Sequence, residues 1–513
     1  MGWARKKIIF DAALPEAKTA TRRARLADSL DKLVQYRALH RSSLPCGPAA
    51  ATTAAIPHPE AFFLATGPGT GGHAPRVQPL AAPPFIVAAA LAWLAAHPAF
   101  GPLTETVPGE ADPFLAAAAI RHGGIVLTSD SDLFVFTPSG PGAGGGEEWG
   151  VVMLRDLAFS AGQDQVTDTA SARVFRPANI AAALGAPLVD VAFQLSLDPF
   201  SSLPSILARL ARPQGFRKRR GAGVRATPPE FVAQYALPAA AGAGAGAAAV
   251  EEPRLGELLF LAKTNARPRT MFLPFLAEDP QRAPAWDVCR DIRAAAYSLL
   301  FPRAPGAGAG GEGETQAEGD AEGNCVTEVF RRGTRIVDAA VARPAADDLA
   351  ATLRSLSARI DAAPDDWWAA LVLDDVCALM RVRQQPPPAR QELAAAAAVL
   401  LAAPSPAPPA PSQQPPPPPP PPPQGWTWPR VWLFAALQAG WYSLLLLRAV
   451  LAFLAARGGA VAGCEALQLG LQRLPSVLEI FDGPTFAVTC GGGAVAPAAW
   501  RLAGAVLARC RSK

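Results

Sequence analysis

Apolar residues recur at helical spacing and then give way to a continuous strand-like run between residues 109 and 136, and this switch organises the chain. Pro108 precedes the helical part, Glu110 and Asp112 fall in its first turn, and Phe114, Leu115, Ala118 and Ala119 repeat until His122-Gly123-Gly124, a stop signal. Ile125-Val126-Leu127 then reads as a buried strand that delivers Asp130 and Asp132 beyond its end. In an extended chain those two carboxylates share a side, because side chains alternate with a period of two.

The same patterning places other elements. Residues 7–11 read as a short buried strand ending in Asp11, followed by a basic helix from Lys18 to about His40 that carries Arg22, Arg23, Arg25, Lys32 and Arg37. Residues 84–97 read as a helix rich in Ala and Leu, with Phe85, Val87, Leu91 and Trp93 assigned to the core. A glycine-rich hairpin loop is expected at 138–148, and a strand at 150–154 is expected to close the sheet. Beyond it, residues 175–184 open a helix, aromatic residues recur at helical spacing over 286–300, and 326–337 reads as a strand or hairpin. Residues 345–402 read as two helices, the second burying Trp367, Trp368, Leu371 and Leu373. The expected fold class is α/β, a mostly parallel sheet flanked by helices, followed by a mainly helical extension with low-complexity loops.

A chain of 513 residues has room for one large core or two to three domains. Alanine, glycine and proline are abundant, and stretches dominated by them at 41–84, 239–249, 304–324 and 404–424 read as loops and linkers. The unbroken proline run 415–423 has no backbone donors and reads as a semi-rigid polyproline II spacer, with a polyproline-binding partner as the other use. Net charge is only +4, so contact with nucleic acid must come from local patches such as Arg217-Lys218-Arg219-Arg220, which reads as a phosphate contact, a nuclear import signal or a solvated loop. The seven cysteines form no CxxC pair, so a zinc site or disulfide framework is not expected and a reducing compartment fits, nucleus or cytoplasm. No secretory signal is visible, and Lys6 stands where N-myristoylation wants Ser or Thr.

Residues 431–456 form an apolar run long enough for a span of about 20 residues. Gln438 and Arg448 interrupt it, and a charge in mid-span costs about 2.5–3.5 kcal/mol on insertion scales. A buried helix of a soluble protein is the expectation here, with membrane anchoring as the rival.

Clustered carboxylates repel unless neutralised. Acidic residues in a first turn often only complement the helix dipole, and Asp-Ser-Asp after a strand is often only a turn. Two such pairs joined by one helix and one strand favour hard divalent cations, which take carboxylate and water oxygens and bridge to phosphate. Two ions about 4 Å apart activate water and stabilise the leaving oxygen in phosphodiester hydrolysis.

Gly109-Glu110-Ala111-Asp112 followed by Thr128-Ser129-Asp130-Ser131-Asp132-Leu133-Phe134-Val135-Phe136 resembles the internal motif of the flap-endonuclease/XPG nucleases, and its Ser-Asp-Ser-Asp form most resembles the Asteroid branch. The resemblance implies a PIN-like fold, with Glu110, Asp112, Asp130 and Asp132 as ligands of Mg²⁺ or Mn²⁺, two ions in all. It also matches Ile9-Phe10-Asp11 to a strand ending in Phe-Asp-Gly, which adds Asp11 as a ligand and implies that Lys18 and Arg25 face the scissile phosphate. By their charge alone, Arg22 of the basic helix and the run Arg217, Lys218, Arg219, Arg220 are further candidates for nucleic-acid contact. Ala12 replaces the usual Gly, and Asp198 stands where the family carries a final ligand, without the flanking Gly and Tyr. Relatives place one more strand, Asp and helix ahead of Asp11, so the front end is expected to be shortened, at a cost to two-metal chemistry.

The expected layout is a catalytic core over 1–160 and a helical region over 161–238, read as a remnant DNA-binding motif. An Asteroid-type helical region follows over 250–402, then a linker at 403–424 and a C-terminal helical segment over 425–513. The resemblance implies a structure-specific, divalent-metal-dependent DNA endonuclease acting on branched or single-stranded DNA in repair. The alternative is a nucleic-acid-binding scaffold that keeps the fold without turnover.

Overall fold

The structure is a computed structural model. It describes residues 7–11, 18–39, 41, 43–44, 84–107, 109–136, 149–160, 169–211, 226–237, 252–264, 269–302, 325–362, 367–383, 426–458 and 464–477. The expectations for the loops and linkers at 138–148, 239–249, 304–324 and 404–424 lie outside these residues, as does the run Arg217, Lys218, Arg219, Arg220.

The first part is built on parallel strand pairs. Strand β1 (Ile8–Asp11) leads to helix α1 (Thr19–Leu39), the short β2 (Ser43–Leu44), helix α2 (Ile86–Ala96) and β3 (Thr104–Val107), which pairs in parallel with β1, Asp11 opposite Val107. Helix α3 (Ala111–His122) runs back along β1 and β3 and ends at Gly123, and β4 (Ile125–Thr128) pairs in parallel with β5 (Gly150–Met153). Paired in parallel, β4 and β5 are not the two arms of one hairpin. The two pairs are separate among the described residues rather than one continuous sheet, and α3 packs on β1, β3 and β4. Beneath them Ala116, Ala119, Val126, Leu133, Phe136, Trp149, Val151 and Met153 form a small core. Trp93 is not part of any core: it is 52% exposed, and Val87 is exposed too, while Phe85 and Leu91 are buried. On an Ala-rich helix the apolar stripe is too broad for its sequence to say which face is covered.

Strands β6 (Ala158–Ser160) and β7 (Thr169–Ser171) pair antiparallel, and helices α4 (Pro177–Leu184), α5 (Leu188–Leu197), α6 (Leu203–Leu210) and α7 (Pro229–Ala233) follow. A bridge between Val151 and Phe175 ties this stretch to β5.

The rest is a larger core. Helix α8 (Pro253–Thr264), β8 (Thr270–Phe272), helix α9 (Arg290–Leu300), the hairpin β9 (Cys325–Arg332) and β10 (Arg335–Ala342), and helices α10 (Ala346–Ala362) and α11 (Trp367–Val382) surround one long helix. After β11 (Trp426–Thr427), that helix, α12 (Trp428–Ala456), packs on α8, α9, α11 and α13 (Glu465–Leu471). Among the described residues α12 holds the one helix long and apolar enough by itself to cross a membrane, Val431–Ala456, and most of its apolar stretch is buried inside the protein. Its polar residues explain the burial: Ser443 accepts from Arg293 Nη1 at 2.9 Å, and the Trp432 and Trp441 indoles donate to the carbonyls of Ala283 and Pro475. This is the central helix of a packed core.

Helix α1 is held against that core by its cations. Arg22 makes a two-pronged pair with Glu257, at 2.5 and 2.9 Å, and its guanidinium lies 4.2 Å from the Phe272 ring centroid. Arg23 pairs with Asp338, and Arg37 reaches Asp279 at 3.3 Å and stacks over Trp428. Arg22 was expected at the nucleic acid; its fork is instead occupied by Glu257, because a half-buried guanidinium gains more from a bidentate carboxylate and an aromatic face than from water.

Candidate active site

The candidate carboxylates reach one place by three routes. Asp11 ends β1, and its Oδ1 accepts the N–H of Ala111, the first residue of α3. The chain turns out of β3 at Gly109, whose φ of 140° lies where a side chain is strained, and this turn sets Glu110 at the N-cap of α3 and Asp112 in its first turn. Glu110 makes no capping bond of its own, and one of the free N-terminal N–H groups of α3, that of Ala111, is served by Asp11 instead.

Asp130 and Asp132 arrive differently from the expectation. Strand β4 stops at Thr128, and Ser131–Val135 is a 3-10 turn rather than extended chain. Asp130 Oδ1 accepts from Asp132 N at 3.0 Å, and Thr128 Oγ1 accepts from Asp130 N at 3.0 Å. Both carboxylates are thus brought near α3 by a side-chain-closed turn, not by strand alternation. The turn is anchored from below by Leu133 and Val135, both buried.

These groups lie close enough for their charges to act on one another. Loss of water, then the charges of Asp130, Asp11, Glu110 and Asp132, push the Asp112 carboxyl up to about 6. Loss of water and the Asp130 charge raise Asp132, with Lys18 opposing. Asp11 is raised by the same loss of water and by Glu110, against the Ala111 N–H and Lys18. Lys18, just ahead of α1, places Nζ 2.7 Å from Glu110 Oε1. Burial works against its charge, but that bond and the fields of Glu110, Asp132 and Asp112 prevail and raise its pKa.

Arg25 is exposed on α1, about 10 Å beyond Lys18 by helical rise. One sequence candidate falls elsewhere. Asp198 closes the corner between α5 and α6: it accepts from Ser201 Oγ at 2.5 Å, which with the Phe200 N–H and nearby Arg209 lowers its pKa. Tyr235, just past α7, went unnoticed in the sequence. Its hydroxyl is pushed up to about 12 by burial and by the charges of Asp132, Asp130, Glu110 and Asp112. Its ring packs on Phe136 at 5.4 Å, a contact between residues far apart in the chain for which no local pattern gives a signal.

A profile of the family described as "XPG domain containing" matches residues 82–342, just over half of the chain. The chain belongs to this family. The matched span of the XPG-domain protein includes Glu110, Asp112, Asp130, Asp132 and Tyr235, and precludes neither Asp11 nor Lys18, which lie ahead of it. Membership carries the PIN-like α/β fold, in keeping with the parallel pairs flanking α3. No curated protein and no solved structure matches the chain.

XPG-family nucleases usually use divalent metals. Among the described residues no three carboxylate, imidazole or thiolate groups stand ready to chelate one ion. The donor set nonetheless suits hydrated Mg²⁺ or Mn²⁺: hard oxygens only, mutually repelling, with a single ammonium paired among them. Mg²⁺ commonly keeps several waters and takes one or two carboxylates.

Proposed function

We propose that this XPG-domain protein is an Asteroid-type, structure-specific endonuclease that hydrolyses phosphodiesters of branched or single-stranded DNA with Mg²⁺ or Mn²⁺. The observation that carries the reading is the gathering of carboxylates at the start of α3: Glu110 and Asp112 stand there, Asp11 bonds to the Ala111 N–H, and the Asp130–Asp132 turn lies near enough to act on Asp112. Asp11, Glu110, Asp112, Asp130 and Asp132 would hold the ions. When bound, the ions supply the positive charge that polarises phosphate and water.

The chain's own residues then have separate roles. Asp11 fixes the N-terminus of α3 and so the positions of Glu110 and Asp112. Asp130 holds the turn that presents Asp132. Lys18 orients the phosphate and offsets charge developing on it, once Glu110 turns to an ion. Arg25, exposed on the same helix, and Arg217, Lys218, Arg219 and Arg220 are proposed as backbone contacts along the strand. The same basic run is proposed to direct the protein to the nucleus, and the proline run 415–423 to serve a polyproline-binding partner.

A second reading is favoured by the Lys18–Glu110 pair and by the lack of a ready three-ligand group among the described residues: a scaffold that binds nucleic acid without cleaving it. Purified protein incubated with Mg²⁺ or Mn²⁺ and labelled 5′-flap DNA separates the two. Cleavage lost in Asp130→Asn supports the nuclease, and binding without cleavage supports the scaffold.

A further inference from the structure

The cleft is rich in acceptors and short of donors. Carboxylates only accept, Lys18 is engaged by Glu110, and the Arg22 fork is filled by Glu257. A phosphate entering this cleft needs N–H or O–H groups. Tyr235 brings one from outside the family's acidic motif. We propose that the Tyr235 hydroxyl is a substrate-contacting group of this cleft, donating a hydrogen bond to a phosphate oxygen of the bound nucleic-acid strand.

The geometry is that of a ring clamped between two others. The Tyr235 ring meets Phe136 edge-on at 5.4 Å, and Phe136 directly follows the turn that carries Asp132. On its other flank the ring meets Phe231 at 5.5 Å, and Phe231 in turn packs on Phe193 of α5 at 5.2 Å. This ladder joins the 226–237 segment to the carboxylate turn and fixes the ring in the small core. The hydroxyl bonds to no described residue, and the charges of Asp132, Asp130, Glu110 and Asp112 reach it. A phenol is protonated at neutral pH, and burial and these charges move it further that way, so it acts as a neutral donor. A neutral donor is what a crowded acidic cleft admits without another ion pair. The aromatic contacts account for a structural role of the ring; they give no task to the oxygen.

This inference rests on the nuclease reading, and the test keeps the two apart. Full-length wild type, Asp130→Asn, Tyr235→Phe and Tyr235→Leu are compared for cleavage of a fluorescein-labelled 5′-flap DNA in Mg²⁺, for affinity to the same DNA in Ca²⁺, and for melting temperature. Tyr235→Phe keeps the ring ladder, so its melting temperature should match wild type. A hydrogen bond to a charged group corresponds to about a ten- to hundredfold effect, so cleavage at saturating DNA should fall by at least about tenfold. Tyr235→Leu should lose melting temperature as well, which separates ring from oxygen. Cleavage and affinity equal to wild type in Tyr235→Phe overturn the proposal, and so does a lowered melting temperature in that variant, which assigns the hydroxyl to the fold. Wild type that binds but does not cleave overturns the nuclease reading alone, and the Tyr235 contact is then read from weakened affinity of Tyr235→Phe. Wild type without affinity for the DNA overturns both.

Discussion

The Lys18 ammonium lies 2.7 Å from Glu110 Oε1, so a cation from the start of α1 and a carboxylate from the cap of α3 neutralise each other inside the acidic cleft. The pair is half-exposed, and such pairs contribute only about 0–1 kcal/mol to stability. Its value lies in the local field. Lys18→Met should leave the melting temperature within a degree or two of wild type. Removing one such charge stabiliser lowers turnover by about a hundredfold, read as the single-turnover rate on flap DNA.

Stability should depend on pH in a direction set by Asp112. Its folded-state pKa, about 6, lies above the ordinary 3.8, so between these values the native protein holds the proton more tightly than the unfolded chain. The contribution is therefore full below about pH 4 and lost as pH rises through 6. Metal-free protein should show a falling denaturation midpoint across that window from this group. Asp112→Asn should flatten the slope and stabilise the metal-free protein at pH 7 by about 1–2 kcal/mol. Mg²⁺ added at pH 7 should raise the wild-type midpoint and have less effect on the variant. Urea titrations at pH 4, 6 and 7.5 check this.

The Arg293–Glu328 pair holds the larger core. Both side chains are fully buried, Nε and Oε1 are 2.6 Å apart, and the guanidinium also donates to Ser443 Oγ of α12 and to the carbonyls of Val288 and Trp286. Tyr297 donates its hydroxyl to Glu328 as well, at 2.9 Å. Glu328→Ala leaves a buried guanidinium without its counter-charge and should cost about 3–5 kcal/mol in denaturant unfolding.

Helices α11 and α12 cross where Gly440 faces Val372, and a Cβ at 440 would collide with both Val372 methyls. Gly440→Ala should therefore destabilise by about 1–3 kcal/mol despite the better helix propensity of alanine. The double variant Gly440→Ala/Val372→Ala should recover part of the loss, measured by thermal unfolding.

The acidic site was legible because its parts are local. The helix over Ala111–His122 and the strand Ile125–Thr128 follow from apolar spacing and from Gly123, and β1 from its apolar run closed by Asp11. The 3-10 turn was not legible, since Asp-Ser-Asp suits a closed turn and a strand end equally, and the hydrogen bond from Asp132 N to Asp130 decides between them. The exposure of Trp93 was hidden because alanine gives no sign of which helix face is covered. Arg22 and Arg25 have the same chemistry on one helix, and only the place of Glu257 separates a core ion pair from an exposed cation.

By itself, the order of residues determined the local elements and the carboxylates they carry, since periodicity, caps and turns act over a few residues. The tertiary structure alone decided that Asp11 bonds to the first N–H of α3, that Arg22, Arg23 and Arg37 of α1 are spent on the helical core, that most of a long apolar helix is buried within protein, and that Tyr235 adjoins the acids. Each of these joins residues distant along the chain. Such contacts are chosen by the total apolar area buried and the charges left paired, sums over the whole molecule that no short window contains.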